Sequence, residues 1–175
     1  MLIPGVALKD TVVLVDTNVM IEAVRTKCWN AVTGSLRLET VEECRDEAGR
    51  GTRGRSGYVA VGQGDLDRLS AVHPVTDLDR AVFGLEYAAA QNMDPGERDL
   101  FAHAYGRATG GDNVWVISSA DRACVRAAVA LGWQDRIHSL GALVTAVGAR
   151  VSAPLADHFG ERWLSDFRTA CLLGR

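Results

Sequence analysis

The sequence Thr11-Val12-Val13-Leu14-Val15-Asp16-Thr17-Asn18 decides the fold that this chain is expected to adopt. Residues 11–15 form a short valine-rich run, which is typical of a β-strand buried on both faces of a sheet. Asp16 therefore stands at the carboxyl end of a buried strand, where a carboxylate is costly unless a partner compensates its charge. Two interpretations of Asp16 stay open at this point, a ligand of a metal ion and the N-cap of the next helix.

Strands and helices alternate along the rest of the chain. Further strands are predicted at 36–38, 114–118 and near Ile137, and helices at 18–25, 29–34, 40–50, 64–71, 77–91, 95–109, 121–131, 140–150 and 154–172. This alternation predicts an α/β fold, a three-layer α/β/α sandwich with a mostly parallel central sheet. Residues 1–150 are expected to form one domain, and residues 151–175 a C-terminal helical extension that packs on it. Open parallel sheets bind ligands beyond the carboxyl ends of their strands.

Composition and charge exclude several classes of protein. The 175 residues, 47% of them hydrophobic, suffice for one domain with its own core. No apolar run is long enough to span a membrane, and the N-terminus lacks the layout of a secretion signal, so a cytoplasmic protein without a membrane partner is expected. The cysteines form no CxxC pair, which argues against a zinc site and a disulfide framework. A net charge of −3 provides no global basic field for nucleic acid.

A second predicted strand end repeats the arrangement found at Asp16. Asp121 lies just past residues 114–118, within Ser118-Ser119-Ala120-Asp121-Arg122. Taken alone, Asp121 is better explained as the N-cap of the helix that follows. The pair is more informative, because the carboxyl ends of parallel strands deliver both acids to the same edge of the sheet.

The predicted helix 95–109 brings a third acid. Asp94-Pro95-Gly96-Glu97 has the pattern of a capping box, which by itself explains Glu97. Glu97 nevertheless shares one helical stripe with the apolar residues Leu100, Phe101, Ala104 and Ala108. We therefore predict that Glu97 faces the sheet edge. Asp99 points about 200° around the helix from Glu97, so it is the second choice as a metal ligand from this helix.

Glu43 is the fourth candidate acid. Thr40-Val41-Glu42-Glu43 is another capping-box pattern, and it opens a helix after the predicted strand 36–38. Cys44 and Ala48 in that helix are expected to face inward. Glu42 and Glu47 compete with Glu43 for the same role, and a lone glutamate here would be mostly a surface residue.

Four acids at strand ends and helix starts predict a metal site. Carboxylates that converge repel one another unless divalent cations neutralise them, and a set of oxygen ligands suits Mg²⁺ or Mn²⁺. Such ions activate water and stabilise an in-line phosphoryl displacement. The chemistry that the acids indicate is therefore phosphodiester hydrolysis.

In this order the motifs resemble those of the PIN-domain nucleases, over roughly residues 11–145. The resemblance implies a PIN-like fold and a single-strand-specific endoribonuclease that uses Mg²⁺ or Mn²⁺. The metal-binding acids that it implies are Asp16, Glu43, Glu97 and Asp121. It also implies that Thr17 and Asn18 orient the first carboxylate and that Ser118 donates a hydrogen bond near the metal. Because the family includes toxins of toxin–antitoxin pairs, an antitoxin protein is a partner that it allows.

Other folds also end a first strand in aspartate. Haloacid-dehalogenase-like phosphatases place a second aspartate two residues later, where this chain has Asn18. Receiver domains require a later lysine, but the two lysines here, Lys9 and Lys27, are both early. The alternative kept from another class is a non-catalytic PIN-like module that binds RNA or a protein, and a metal-dependent phosphatase is a third option.

Two further segments bear on partners. Arg50, Arg53 and Arg55 lie in the glycine-rich stretch 49–64, which is either a clamp on the RNA backbone, with Tyr58 stacking on a base, or a solvated loop, the favoured interpretation. The C-terminal apolar residues either pack back on the domain, which is the default, or form a surface for a homodimer or another partner. They are Trp163, Leu164, Phe167, Leu172 and Leu173.

Overall fold

Five parallel strands form one sheet in the computed structural model, which describes residues 7–50 and 59–174. The strands are β1 (Val12–Val15), β2 (Arg37–Val41), β3 (Ala71–His73), β4 (Trp115–Ser118) and β5 (Ile137–His138). Their order across the sheet is β3-β2-β1-β4-β5, and every neighbouring pair is parallel. The predicted α/β fold with a parallel central sheet, consistent with a three-layer sandwich, is confirmed.

Helices connect the strands. They are α1 (Thr17–Arg25), α2 (Trp29–Ser35), α3 (Glu42–Arg50), α4 (Gln63–Leu66), α5 (Asp77–Glu86), α6 (Pro95–Thr109), α7 (Arg122–Ala130), α8 (Leu140–Ala146) and α9 (Glu161–Leu172). Short 3-10 turns occupy Leu8–Asp10, Ala88–Asn92 and Asp157–Phe159. Among the described residues, no helix is long and apolar enough to cross a membrane.

The two central strands, β1 and β4, lie in the core, and the strand order of the sheet reverses between them at its switch point. Every residue of β1 and β4 is buried, because helices cover both faces of a parallel sheet. Val15 is in register with Ser118, so the carboxyl ends of β1 and β4 lie side by side. The strand order reverses between these two strands, and open α/β sheets bind ligands in the crevice that forms there.

Several predicted helix boundaries are wrong. The helix expected at 64–71 ends at Leu66, and a strand, β3, begins at Ala71. Three residues are too few to display a period of two, so pairing with β2 rather than local pattern creates this strand. The strand expected at 36–38 extends to Val41, and α3 starts only at Glu42.

The other corrections concern helix ends. The helix expected at 77–91 ends at Glu86 and continues as a 3-10 turn. The helix expected at 140–150 ends at Ala146, because Gly148 adopts a left-handed φ of 63° and closes the last turn. Helix α9 begins at Glu161 and not near Pro154.

The C-terminal extension packs against the rest of the domain. Leu164 of α9 is buried, and the guanidinium groups of Arg122 and Arg126 on α7 lie 5.4 and 5.3 Å from the centre of the Phe167 ring. Upstream of α9, Ser152 donates from its hydroxyl to the carbonyl of Thr26. Leu172 and Leu173 at the end of α9 remain exposed.

Candidate metal centre

Asp16 is buried at the carboxyl end of β1, where it begins α1 as its N-cap. Its Oδ1 accepts a hydrogen bond of 2.7 Å from the backbone N–H of Thr17, and its Oδ2 accepts one of 2.9 Å from the hydroxyl of Ser119. Burial raises the pKa of Asp16 to about 6, although both hydrogen bonds act in the opposite direction. The N-cap, one of the two interpretations of Asp16 that the sequence left open, is therefore present, and burial still makes the ionised form of this carboxylate unfavourable.

Ser119 joins the two strand-end motifs. Because Val15 is in register with Ser118, the residues that follow them, Asp16 and Ser119, lie next to each other at the switch point. The Ser119 hydroxyl donates to Asp16 and also accepts a 3.1 Å hydrogen bond from the N–H of Asp121. Sequence reasoning chose Ser118, whose hydroxyl is buried and has no hydrogen-bond partner among the described residues. The strand register, unknown from sequence alone, distinguishes the two serines.

Asp121 is half-buried at the start of α7. It is the N-cap that the sequence suggested, since its Oδ1 accepts a hydrogen bond from the N–H of Ala123. Its negative charge nevertheless acts on the site, because it raises the pKa of both Asp16 and Glu97. Asp121 is thus near both of these acids.

Glu97, in the first turn of α6, is only 6% exposed. From the described residues its carboxylate accepts one hydrogen bond, from the N–H of Asp94 to Oε2 at 3.3 Å. Burial, followed by the charges of Asp121 and Asp16, raises the pKa of Glu97 to about 8. The helical stripe predicted that Glu97 faces the sheet edge, and the structure places it beside the acid of β1.

Cys124 completes this group, and sequence analysis did not anticipate it. Its Sγ, a carboxylate oxygen of Asp16 and a carboxylate oxygen of Glu97 all lie within 4.8 Å of one another, and all three residues are buried. Cys124 follows Asp121 by three residues on α7, a spacing that puts both on one face of the helix. That spacing is the signal by which it could have been found.

Glu47, and not Glu43, is the residue of α3 that lies beside Asp16. The Thr17 hydroxyl donates a 2.8 Å hydrogen bond to Glu47 Oε2, and the charge of Glu47 contributes to the raised pKa of Asp16. Glu43 lies one turn earlier, half-buried, and forms no hydrogen bond or ion pair with a described residue. Glu47 was one of the competitors that the sequence left open, and we call Asp16, Glu47, Glu97 and Asp121 the acid cluster.

Gly96 lets α6 approach the acid of α3. A Cβ atom at position 96 would lie 2.6 Å from Oε2 of Glu47 and 3.1 Å from Sγ of Cys44. The Cys44 thiol also donates a 3.2 Å hydrogen bond to the carbonyl of Gly96. The glycine before Glu97 therefore has a steric role, since it makes room for the two side chains of α3.

The remaining predicted residues lie apart from the acid cluster or outside the described residues. Asp99 is buried but forms a two-pronged ion pair with Arg80, with both N···O distances at 2.7 Å. Asn18 is exposed, and Arg50 forms an exposed ion pair with Asp46 at 3.7 Å. Arg53, Arg55 and Tyr58 lie outside the residues that the structure describes.

The buried acids of this site differ from the other buried acids of the protein in whether an arginine pairs with them. Five acidic residues are buried among the described residues, and three of them contact an arginine. These pairs are Glu22 with Arg25 (2.6 Å), Glu39 with Arg107 (2.9 Å) and Asp99 with Arg80 (2.7 Å). Asp16 and Glu97 form no ion pair with any described residue. The fold therefore neutralises its other buried carboxylates and leaves these two without a cation.

Comparison with known proteins adds no assignment. No family model, no curated protein and no solved structure matches this chain.

Proposed function

We propose that this chain is a metal-dependent endoribonuclease of the PIN-domain type, which hydrolyses phosphodiester bonds of single-stranded RNA at the acid cluster. The observation that carries the proposal is the buried pair Asp16 and Glu97, which alone among the buried acids of the described residues lacks a cationic partner. Buried charges are normally paired or coordinate metals. A divalent cation would supply the missing positive charge.

The donor set fits such a cation. Carboxylate oxygens are ligands of Mg²⁺ and Mn²⁺. Asp16 and Glu97 would hold the ion, with Asp121 and Glu47 adding negative charge beside it, and Glu47 takes the place first expected of Glu43. A bound ion of this kind supplies Lewis-acid chemistry suited to phosphodiester hydrolysis.

Neighbouring groups of the chain fix the acids in place. Ser119 and the N–H of Thr17 hold the two oxygens of Asp16, and the Thr17 hydroxyl holds Glu47. These contacts join the segment that follows β4 to the start of α1, and α1 to α3, so the acid cluster is held where regular elements begin and end. A site held in this way keeps its ligands in a fixed arrangement before substrate binds.

An exposed basic residue, Arg122, directly follows Asp121 in the sequence. Its guanidinium lies 5.4 Å from the centre of the Phe167 ring. Arginine in this position can attract and orient a phosphate of the RNA backbone. The net charge of −3 does not oppose this role, because local charge governs the approach to a site.

The decisive experiment compares the wild-type protein with Asp16→Asn. Purified protein is incubated with single-stranded RNA and either Mg²⁺ or Mn²⁺, and its thermal stability is followed as Mn²⁺ is added. The wild type should cleave RNA and be stabilised by Mn²⁺, because a ligand that binds only the folded state stabilises it. Asp16→Asn should lose both properties, with cleavage falling at least about 100-fold, while circular dichroism shows an intact fold.

Other results would redirect the assignment. Full metal-dependent cleavage by Asp16→Asn would mean that the site is wrong. No stabilisation by Mn²⁺ and no RNA cleavage would favour the non-catalytic RNA- or protein-binding module, which has lost efficient metal binding, and turnover of small phosphomonoesters alone would favour a phosphatase. An antitoxin partner stays a prediction from the PIN-domain resemblance, and co-purification with a neighbouring gene product would test it.

A further inference from the structure

The Cys124 thiol is an unusual group to find at a site made of carboxylates. Its side chain is fully buried, and its sulfur lies within 4.8 Å of a carboxylate oxygen of both Asp16 and Glu97. Oxygen ligands alone suit Mg²⁺, whereas thiolate is a soft ligand that favours transition metals. The sulfur therefore changes which cation the site should prefer.

Glu97 independently indicates that a ligand is missing at this point. It is more than nine-tenths buried, yet its carboxylate receives a single long hydrogen bond of 3.3 Å and no ion pair from the described residues. A buried carboxylate with so few partners carries a large desolvation cost. A bound proton offsets this cost while Glu97 is neutral, and a cation beside the Cys124 sulfur would offset it for the ionised carboxylate.

Cys44 provides an internal comparison. It is also fully buried, and burial together with the nearby charge of Asp16 raises the pKa of its thiol. Its thiol, however, already donates to the carbonyl of Gly96 at 3.2 Å. The set of groups that converge within 4.8 Å contains Cys124 and not Cys44.

We propose that Cys124 is a third ligand of the cation held by Asp16 and Glu97, so that the site prefers softer transition metals such as Fe²⁺, Co²⁺ or Zn²⁺ to Mg²⁺. As the bond between sulfur and metal forms, the S–H bond breaks and its proton leaves to solvent, so binding tightens as pH rises. This inference rests on the metal centre of the proposed function and names the class of cation that it takes.

Co²⁺ is the probe that reports a sulfur ligand directly. Titration of the metal-free wild type with Co²⁺ should produce a near-ultraviolet charge-transfer band from sulfur to cobalt, at a stoichiometry of one ion per chain. Cys124→Ser should lose this band, and Cys44→Ser should keep it. Competition between Co²⁺ and Mg²⁺ should show Co²⁺ affinity falling by about 10- to 100-fold in Cys124→Ser, and a much smaller change in Mg²⁺ affinity.

The outcomes separate this inference from the nuclease assignment. Co²⁺ binding to the wild type without a charge-transfer band, or no binding at all, would overturn the sulfur ligand. That wild-type result is decisive even if Cys124→Ser fails to fold. A charge-transfer band lost only in Cys124→Ser, together with no cleavage of RNA under any metal, would support the ligand and refute the nuclease. Cleavage of RNA with Mg²⁺ at equal rates by the wild type and Cys124→Ser, without a charge-transfer band, would support the nuclease and refute the sulfur ligand.

Discussion

The Ser119 hydroxyl donates a 2.9 Å hydrogen bond to Asp16 Oδ2 and thereby joins two motifs separated by 103 residues in the sequence. The same hydroxyl accepts from the N–H of Asp121 at 3.1 Å. The Ser119 side chain therefore fixes both the orientation of the Asp16 carboxylate and the backbone that leads to Asp121. Groups that orient metal-binding carboxylates in this way affect affinity nearly as strongly as the ligands themselves.

Ser119→Ala should weaken metal binding, because Asp16 loses a hydrogen bond that lowers its pKa. We expect Mn²⁺ affinity, measured by calorimetric titration, to fall by about 10- to 100-fold. The metal-free protein should lose roughly 1 kcal/mol of unfolding free energy. Ser118→Ala is the matched control, since that neighbouring hydroxyl has no partner among the described residues. Equal effects of the two substitutions would contradict the role given to Ser119.

Glu47→Gln and Glu43→Gln distinguish the two acids of α3. Glu47 accepts a hydrogen bond from Thr17 and its charge raises the pKa of Asp16, whereas the Glu43 side chain forms no hydrogen bond or ion pair with a described residue. Removing the charge of Glu47 should reduce RNA cleavage by about 10- to 100-fold, while Glu43→Gln should stay within about twofold of the wild type. Initial cleavage rates at saturating Mn²⁺ provide the measurement. A larger loss in Glu43→Gln would restore the original sequence-based choice.

The difference between these two glutamates shows what sequence could and could not provide. The positions of the acids at strand ends can be predicted from the local pattern, because a buried apolar run such as 11–15 and the residue after it are recognisable in the sequence. The choice of Glu47 depends on how α3 packs against α6 at Gly96, which is a tertiary contact. The choice of Ser119 over Ser118 depends on strand register, and strand β3 depends on pairing alone.

Helix periodicity predicted more than capping patterns did. The stripe that contains Glu97 placed this acid toward the sheet edge, and Asp99 on the other side forms its own ion pair with Arg80. The capping pattern at Thr40 suggested Glu43 but identified neither the start of α3 nor the inward-facing acid. Cys124 has no partner cysteine at a metal-ligand spacing, and only the tertiary structure shows that its sulfur lies beside the carboxylates of Asp16 and Glu97.

Gly96→Ala should impair the site more than it impairs the fold. The added Cβ would meet the carboxylate of Glu47 at 2.6 Å, and this flexible side chain can move away from Thr17 to relieve the clash. We expect Mn²⁺ affinity to fall about 10-fold by calorimetry. Gly106→Ala on the same helix is the control, because its Cβ would meet nothing within 4 Å. That substitution should stabilise the protein by about 0.5–1 kcal/mol and leave metal affinity unchanged.

The metal-free protein should lose stability as pH rises from about 6.5 to about 8, and Glu97 should be the cause. The pKa of Glu97 rises from 4.5 in the unfolded chain to about 8 in the fold, so across this window the folded state holds a proton that the unfolded state has released. Asp16, raised to about 6, acts in the same direction at lower pH. At that lower pH the effect of Asp16 on stability is opposed by His103 and His138, whose pKa values are lowered from 6.5 to about 4.

The measurement is the unfolding free energy in denaturant with a chelator present, at several pH values between about 6.5 and 8.5. The wild type should become less stable with rising pH, whereas Glu97→Gln, which has no such proton to release, should be nearly independent of pH in this window. Saturating Mn²⁺ should abolish or reverse the decline in the wild type, because the cation favours the ionised carboxylates. A decline of the same size in Glu97→Gln would show that another group titrates, and it would remove the electrostatic basis for placing a cation between Asp16 and Glu97.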